Sequence, residues 1–230
     1  QIIKHIQSIS IMFSYRQSRA AMLLQPARRA AQRLGDERSL IMLDLMEGCQ
    51  THLSHLHNLA SPHVLLRTVM ERVQALGDSD IMASTATGVG LVYFMQGEYE
   101  KAIAFMKQCP EGFFVDSFDY LEEVRIRYMG SAACALGRLD LGLGPMLSSL
   151  FEARERNNRL TVKWHKVHLS DQLLRVGMLE QGMELLTDVL HCSDPESEIK
   201  LWFWSCRNLA YYHFQCGRIA VAHRIMTEGM

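Results

Sequence analysis

The sequence lacks several features that would place it in a common class of protein. Among its 230 residues only five are proline, and no apolar run approaches the roughly 18–20 residues needed to cross a bilayer. Lys and Arg number 24 against 25 Asp and Glu, so no charge excess predicts a nucleic acid or an anionic membrane as a direct partner. Apolar residues still make up 48% of the chain, which is enough for a folded core.

Motifs that carry catalysis, cofactors or metals are also missing. There is no GxSxG, GxxxxGK[ST] or strand-associated GxGxxG pattern, so we expect no catalytic residues, no enzyme activity and no cofactor. The six cysteines form no CxxC pair, which predicts free, mostly buried thiols in a reducing cytoplasm.

A group of histidines offers the one candidate for a metal site. His52 and His55 could share a helix face as metal ligands, with His57 and His63 nearby. Because no glutamate or cysteine completes a ligand set, we interpret the segment as a helix end followed by a polar turn, and we expect no metal.

Glycine is the residue type whose spacing is regular. Small residues recur seven positions before and five positions after four glycines that are 40 residues apart, and a large apolar residue recurs nine positions after them. These glycines are Gly97, Gly137, Gly177 and Gly217; the small residues are Gly90, Gly130, Ser170 and Ala210 before them and Ala102, Gly142, Gly182 and Ala222 after them; the apolar residues are Met106, Met146, Leu186 and Met226. The pattern predicts two helices per repeat that cross at the small residues and join at a glycine with positive φ.

One of these repeats resembles the tetratricopeptide repeat. Residues 90–103, Gly-Leu-Val-Tyr-Phe-Met-Gln-Gly-Glu-Tyr-Glu-Lys-Ala-Ile, carry the small residue, aromatic, turn glycine, aromatic and small residue of that family's signature in order. We predict paired helices at 84–96 and 98–109 here, and amphipathic helices of earlier units at 19–34 and 62–76, with turns near 17 and 57.

The resemblance implies an all-α superhelix of about six helical hairpins, forming one domain over residues 1–230. The approximate repeats are 1–38, 39–79, 80–119, 120–159, 160–199 and 200–230, the last one truncated. Armadillo or HEAT packing, which also has periods near 40, remains the alternative fold.

The length of the repeat indicates which group of such arrays this sequence is similar to. Most tetratricopeptide repeats have 34 residues, whereas this array has 40. Such arrays are similar to those of LuxR-type, maltose-regulator-like ATP-dependent activators and of multidomain bacterial signalling proteins. This similarity implies a cytoplasmic sensor or scaffold for signalling or transcription regulation. Because the sequence begins with Gln1 rather than Met, we expect it to be a fragment of a larger protein.

In the tetratricopeptide family the first helix of each hairpin lines a groove, which implies a set of candidate binding residues here. The set is Phe94, Arg127, Ser131, Trp164, Asp171, Arg175, Trp204, Arg207 and Tyr211. Arginines with large aromatics are typical of binding hot spots, and guanidinium groups hold acidic groups. We therefore predict a protein or peptide partner with an acidic group.

Three other interpretations stay open. A small effector could bind in a pocket lined by Trp164, Trp204 and Tyr211, or the array could serve as a homo-oligomer interface. Alternatively the tryptophans only fill gaps between repeats, while Arg127 with Glu123 and Arg175 with Asp171 form solvated pairs.

Some charged and titratable residues are predicted to be merely solvated. His165 and His168 lie beside two lysines, which favours a solvated face over a pH-sensitive surface. Arg28, Arg29 and Arg33 are expected to form a solvated basic face. The acids Asp44 and Glu47 are expected at the groove of an early repeat.

Overall fold

The computed structural model describes residues 17–54, 60–109, 119–195 and 197–228, and within these ranges every regular element is an α-helix. The helices are α1 (Gln17–Leu34), α2 (Glu37–Ser54), α3 (Ala60–Leu76), α4 (Ser79–Met95), α5 (Tyr99–Met106), α6 (Asp119–Ala135), α7 (Leu139–Glu155), α8 (Arg159–Arg175), α9 (Leu179–Cys192), α10 (Ile199–Gln215) and α11 (Ile219–Glu228). Neighbouring helices pack against each other, which confirms the predicted all-α helical-repeat class. In the ranges above, no helix has both the length and the apolar character that a membrane crossing requires.

The glycines at the 40-residue spacing end the first helices, as predicted. Their φ angles are positive and range from 72° to 85°: Gly97, Gly137, Gly177 and Gly217. After α4 the N–H of Glu98 donates to the carbonyl of Tyr93 at 2.9 Å. This bond, from the residue after the glycine, is the one that closes a glycine-terminated helix end, and it recurs at the other three turns.

The α3–α4 turn, which separates two hairpins, is formed by a glycine and an aspartate. At the α3–α4 turn Gly77 has positive φ, and the next residue, Asp78, accepts a hydrogen bond from the N–H of Ile81 at 3.1 Å. An aspartate in this position caps the helix N-terminus, so α4 begins at Ser79 rather than at the predicted residue 84. Its partner α5 ends at Met106, three residues before the predicted end.

The predicted helix crossings are present at the small residues of two hairpins, α4–α5 and α6–α7. A Cβ built on Gly142 of α7 would lie 2.6 Å from the carbonyl oxygen of Gly130 on α6, so the two backbones touch. A Cβ on Gly90 would lie 3.0 Å from the carbonyl oxygen of Ala102. Met106 and Met146 fill the space beside these crossings and are completely buried.

The chain divides between Glu122 and Glu123 into two compact units. The core of the first unit packs α2, α3 and α4 together around Ile41, Val73 and Ile81. In the second unit, Met146 and Leu169 join α7 to α8. A further apolar cluster of this unit joins α8, α9 and α10 through Val167, Val189 and Leu201.

Two predictions for the first unit have different outcomes. The amphipathic helices predicted at 19–34 and 62–76 are confirmed as α1 and α3. The predicted turn near residue 57 falls within 55–59, outside the described residues, and the one near 17 falls where the description begins.

Candidate functional site

Most of the predicted binding residues lie in the second unit, on α6, α8 and α10. These are the first helices of their hairpins, and α8 packs directly on α10. The hydroxyl of Thr161 on α8 donates to the buried carboxylate of Glu123 on α6 at 2.5 Å, which joins those two helices. Phe94 lies in the first unit, where its ring is half-buried 5.6 Å from the ring of Tyr99.

Five of the predicted residues contact one another on α8 and α10; we call them the arginine ladder: Asp171, Arg175, Trp204, Arg207 and Tyr211. One oxygen of Asp171, Oδ1, accepts hydrogen bonds from Arg175 Nε at 3.2 Å and from Arg207 Nη2 at 2.9 Å. The Arg175 guanidinium lies 5.7 Å from the centre of the Tyr211 ring, and that of Arg207 lies 4.0 Å from the centre of the Trp204 ring. Each cation is therefore held by a carboxylate and by an aromatic ring.

A buried asparagine fixes the ladder to the core. Arg207 Nη2 also donates to Asn208 Oδ1 at 3.0 Å. The side chain of Asn208 in turn donates to the carbonyl of Val167 and to the hydroxyl of Ser170 on α8, both at 2.9 Å. These bonds set the position of Arg207 relative to α8.

Arg207 is a partly buried cation. Burial is the main cause that lowers its pKa; the charge of Asp171 raises it, and the smaller effect of Arg175 lowers it. Arginine stays charged throughout the physiological range, so the ladder holds two guanidinium charges against the one carboxylate of Asp171.

Arg127 differs from the other two predicted arginines. Its residue is only 2% exposed, so the prediction of a solvated pair with Glu123 is wrong. Its guanidinium lies 5.9 Å from the centre of the Trp164 ring, beneath the surface. Arg175 and Arg207 have side chains that are 52% and 31% exposed, so these two are the arginines that a partner can reach.

The two tryptophans contact apolar core residues as well as arginines. Trp164 and Trp204 pack against the apolar cluster that joins α8, α9 and α10. The gap-filling interpretation is thus correct for part of each ring, and in addition each ring has an arginine next to it.

Two histidines at this site were predicted to be solvated, and that prediction is wrong. His168 is 4% exposed and His165 is completely buried. The His168 ring is stacked 5.8 Å from the Trp204 ring, and its Nδ1 lies 3.5 Å from the hydroxyl of Ser131. His165 Nε2 lies 3.0 Å from the hydroxyl of Ser149 on α7. Ser131, a predicted groove residue, is therefore a buried contact of His168.

Both histidines are neutral at pH 7. Burial and then the nearby charge of Arg127 lower the pKa of His165 to about 3. The same two causes, in that order, hold the pKa of His168 well below its usual value, and His165 and Arg207 add to the effect.

The acids of the first unit are already paired. Arg28 donates to Asp44 at 2.5 Å and to Glu47 at 2.8 Å, so the prediction that Arg28 belongs to a solvated basic face is wrong. Asp44 also accepts from Arg72. Arg29 and Arg33 are exposed, as predicted.

The described residues hold free thiols and no set of metal ligands. Cys109, Cys134 and Cys206 are buried free cysteines, and Cys192 and Cys216 are exposed free cysteines. Within the described part of the chain no three His, Cys, Asp or Glu side chains are placed to hold a metal ion. His55 and His57 lie outside the described residues, as do the side chains of His52 and His63.

No family model and no curated protein matches this chain.

Proposed function

We propose that this chain is a non-catalytic binding module whose second unit binds a protein or peptide partner through an acidic group. The observation that carries the proposal is the arginine ladder, in which two partly exposed guanidinium groups from α8 and α10 share one aspartate. Arginine and tryptophan are the residue types most enriched in binding hot spots.

Preorganisation supports the proposal physically. Ordering a long side chain on binding costs about 0.5–1.5 kcal/mol. Arg175 and Arg207 are already held by Asp171 and by the rings of Tyr211 and Trp204, so a partner meets cations whose conformational freedom is largely lost beforehand. Charge-assisted hydrogen bonds to such groups then add affinity without that cost.

We further propose that the chain is a tetratricopeptide-type array from a larger cytoplasmic bacterial protein of signalling or transcription regulation. Support comes from the helical hairpins that turn at Gly97, Gly137, Gly177 and Gly217 and from the signature-like residues 90–103. Arrays of this kind expose the first helices of their hairpins to partners, and the ladder lies on two such helices.

A peptide array tests the proposed function. Immobilised 12-residue peptides of acidic, basic and neutral composition would be probed with the wild-type protein and with the variant Arg175→Gln/Arg207→Gln. We expect binding to a subset of acidic peptides and its loss in the double variant.

Arg156→Gln is the matched control for this test. Arg156 has a 54% exposed side chain and pairs with Glu152 four residues earlier, as Arg175 does with Asp171. Binding that is equal in all three proteins, or confined to neutral peptides, would contradict the proposal.

A further inference from the structure

The ladder leaves a defined set of hydrogen-bond donors unused. Arg175 donates to Asp171 through Nε, and Arg207 donates through Nε and Nη2 to Asn208 and Asp171. Among the residues that the structure describes, none accepts a hydrogen bond from Arg175 Nη1, Arg175 Nη2 or Arg207 Nη1. Three donor nitrogens of two partly exposed arginines are therefore available to a ligand.

These donors belong to guanidinium groups that lie side by side. Arg175 Nε and Arg207 Nη2 are 3.2 Å and 2.9 Å from the same oxygen of Asp171, so a single small group can reach both cations. Two adjacent positive charges with one carboxylate carry an excess of one positive charge.

The charge of the ladder favours a phosphate over a carboxylate as the ligand group. Either group has enough lone pairs to accept from all three free nitrogens. A phosphate carries about −1.5 to −2 charges at pH 7, whereas a carboxylate brings a single negative charge to the two guanidinium groups. Guanidinium groups are the side chains best suited to bind such groups through several hydrogen bonds.

We infer, on the basis of the proposed function, that Arg175 and Arg207 form the subsite for a phosphate group carried by the peptide partner. Asp171 is a positioning residue in this subsite, because its carboxylate orients both arginines. Its own negative charge repels the ligand.

The test uses two blocked single residues as probes, N-acetyl-phosphoserine amide and N-acetyl-glutamate amide. Each would be titrated into the full chain at pH 7.5 and constant ionic strength, while NMR follows the side-chain Nε–Hε signals of Arg175 and Arg207. We expect saturable shifts of both signals, with an apparent Kd about tenfold lower for phosphoserine, because the additional negative charge of a phosphate beside two cations is worth about that factor.

Three variants complete the test. Because two of them remove both arginine signals, binding to the variants is followed through the backbone N–H signals of α8 and α10. Arg175→Gln/Arg207→Gln should abolish the shifts that phosphoserine causes in these signals, Arg156→Gln should retain them, and Arg175→Lys/Arg207→Lys should raise the apparent Kd about tenfold, since lysine keeps the charge but loses the fork. An apparent Kd for the glutamate probe equal to or lower than that for phosphoserine overturns the inference, as does a response that survives in the Gln double variant.

The two proposals fail separately. If the acidic peptides bind while neither probe shifts the arginine signals, only the phosphate subsite is wrong. If phosphoserine shifts both signals while no peptide on the array binds, with or without a phosphoserine in it, the anion site stands and the peptide-binding function is wrong.

Discussion

At the scale of single residues, two histidines couple the second unit to pH. His165 and His168 are buried and neutral, next to the buried cation Arg127. In the unfolded chain each histidine would be solvated and would take up a proton near its ordinary pKa of about 6.5. The folded state thus binds fewer protons than the unfolded state in acid.

The second unit should therefore lose stability as the pH falls below about 6.5. For His165 the loss continues down to its folded pKa of about 3 and amounts to about 1.4 kcal/mol for each pH unit in between. In the variant His165→Gln, whose amide can still hydrogen-bond to Ser149, the free energy of unfolding lost per pH unit should be smaller by up to that amount. Urea unfolding between pH 7 and 4.5 measures the slope, with His191→Gln as the exposed control; identical slopes in all three proteins would show that His165 is already protonated when folded.

The positive φ of a turn glycine can be tested by substitution. Gly137 has a φ of 78°, and a Cβ built there has no neighbour within 4 Å, so a side chain would cost only backbone strain. Gly137→Ala should lower the free energy of unfolding by about 1–2 kcal/mol. Gly137→Asn should cost less than half as much, because Asn157 already adopts a φ of 58° in a comparable turn. Equal losses in the two variants, measured by urea unfolding, would contradict this account.

At the scale of the helix pair, the sequence pattern was most informative. Any packed hairpin of this kind needs a glycine at its turn and a small residue on each helix where the two helices cross. The positions seven before and five after Gly137 therefore predicted the crossing at Gly130 and Gly142, and Gly137 itself predicted the turn. Helix boundaries were less accurate, because the start of α4 depends on capping by Asp78, a local bond outside the repeat columns.

The crossing itself predicts two different costs for the same substitution. At Gly142 an added Cβ meets the Gly130 backbone at 2.6 Å, whereas at Gly182 the nearest atoms, at 2.9 Å, belong to the side chain of Leu174. Gly142→Ala should cost about 2–3 kcal/mol of unfolding free energy, and Gly182→Ala should cost about 1 kcal/mol, because a side chain can shift more easily than a backbone. Chemical denaturation of both variants checks the order; a larger loss for Gly182→Ala would mean that the crossing on α6 and α7 is looser than described.

The candidate site was predictable in its residue types but not in its depth. Helix α8 contacts α7, α9 and α10, so polar residues all around it, His165 and Gln172 among them, are buried. The sequence of α8 therefore has no apolar stripe that would distinguish a buried face from an exposed one. The neighbouring lysines led to the wrong prediction that His165 is solvated. The sequence likewise did not distinguish Arg127 on α6, which is buried, from Arg175 on α8, which is accessible.

At the scale of the whole molecule, the two units hold their charges differently. In the first unit two arginines, Arg28 and Arg72, are paired with three carboxylates, those of Glu37, Asp44 and Glu47. In the second unit two arginines share the one carboxylate of Asp171, which leaves positive charge available. The near-zero net charge of the chain thus conceals a cationic site, and we locate the function there.

The most direct test of the central claim is the equilibrium affinity of the strongest acidic peptide from the array, measured by fluorescence anisotropy. Arg175 and Arg207 supply the accessible positive charge, so Arg175→Gln/Arg207→Gln should weaken binding at least about tenfold, as expected when charge-assisted hydrogen bonds are lost. Arg156→Gln should leave the Kd unchanged. A folded double variant, with wild-type helical content and melting temperature, that binds the peptide as tightly as the wild type would contradict the claim that the arginine ladder is the binding site.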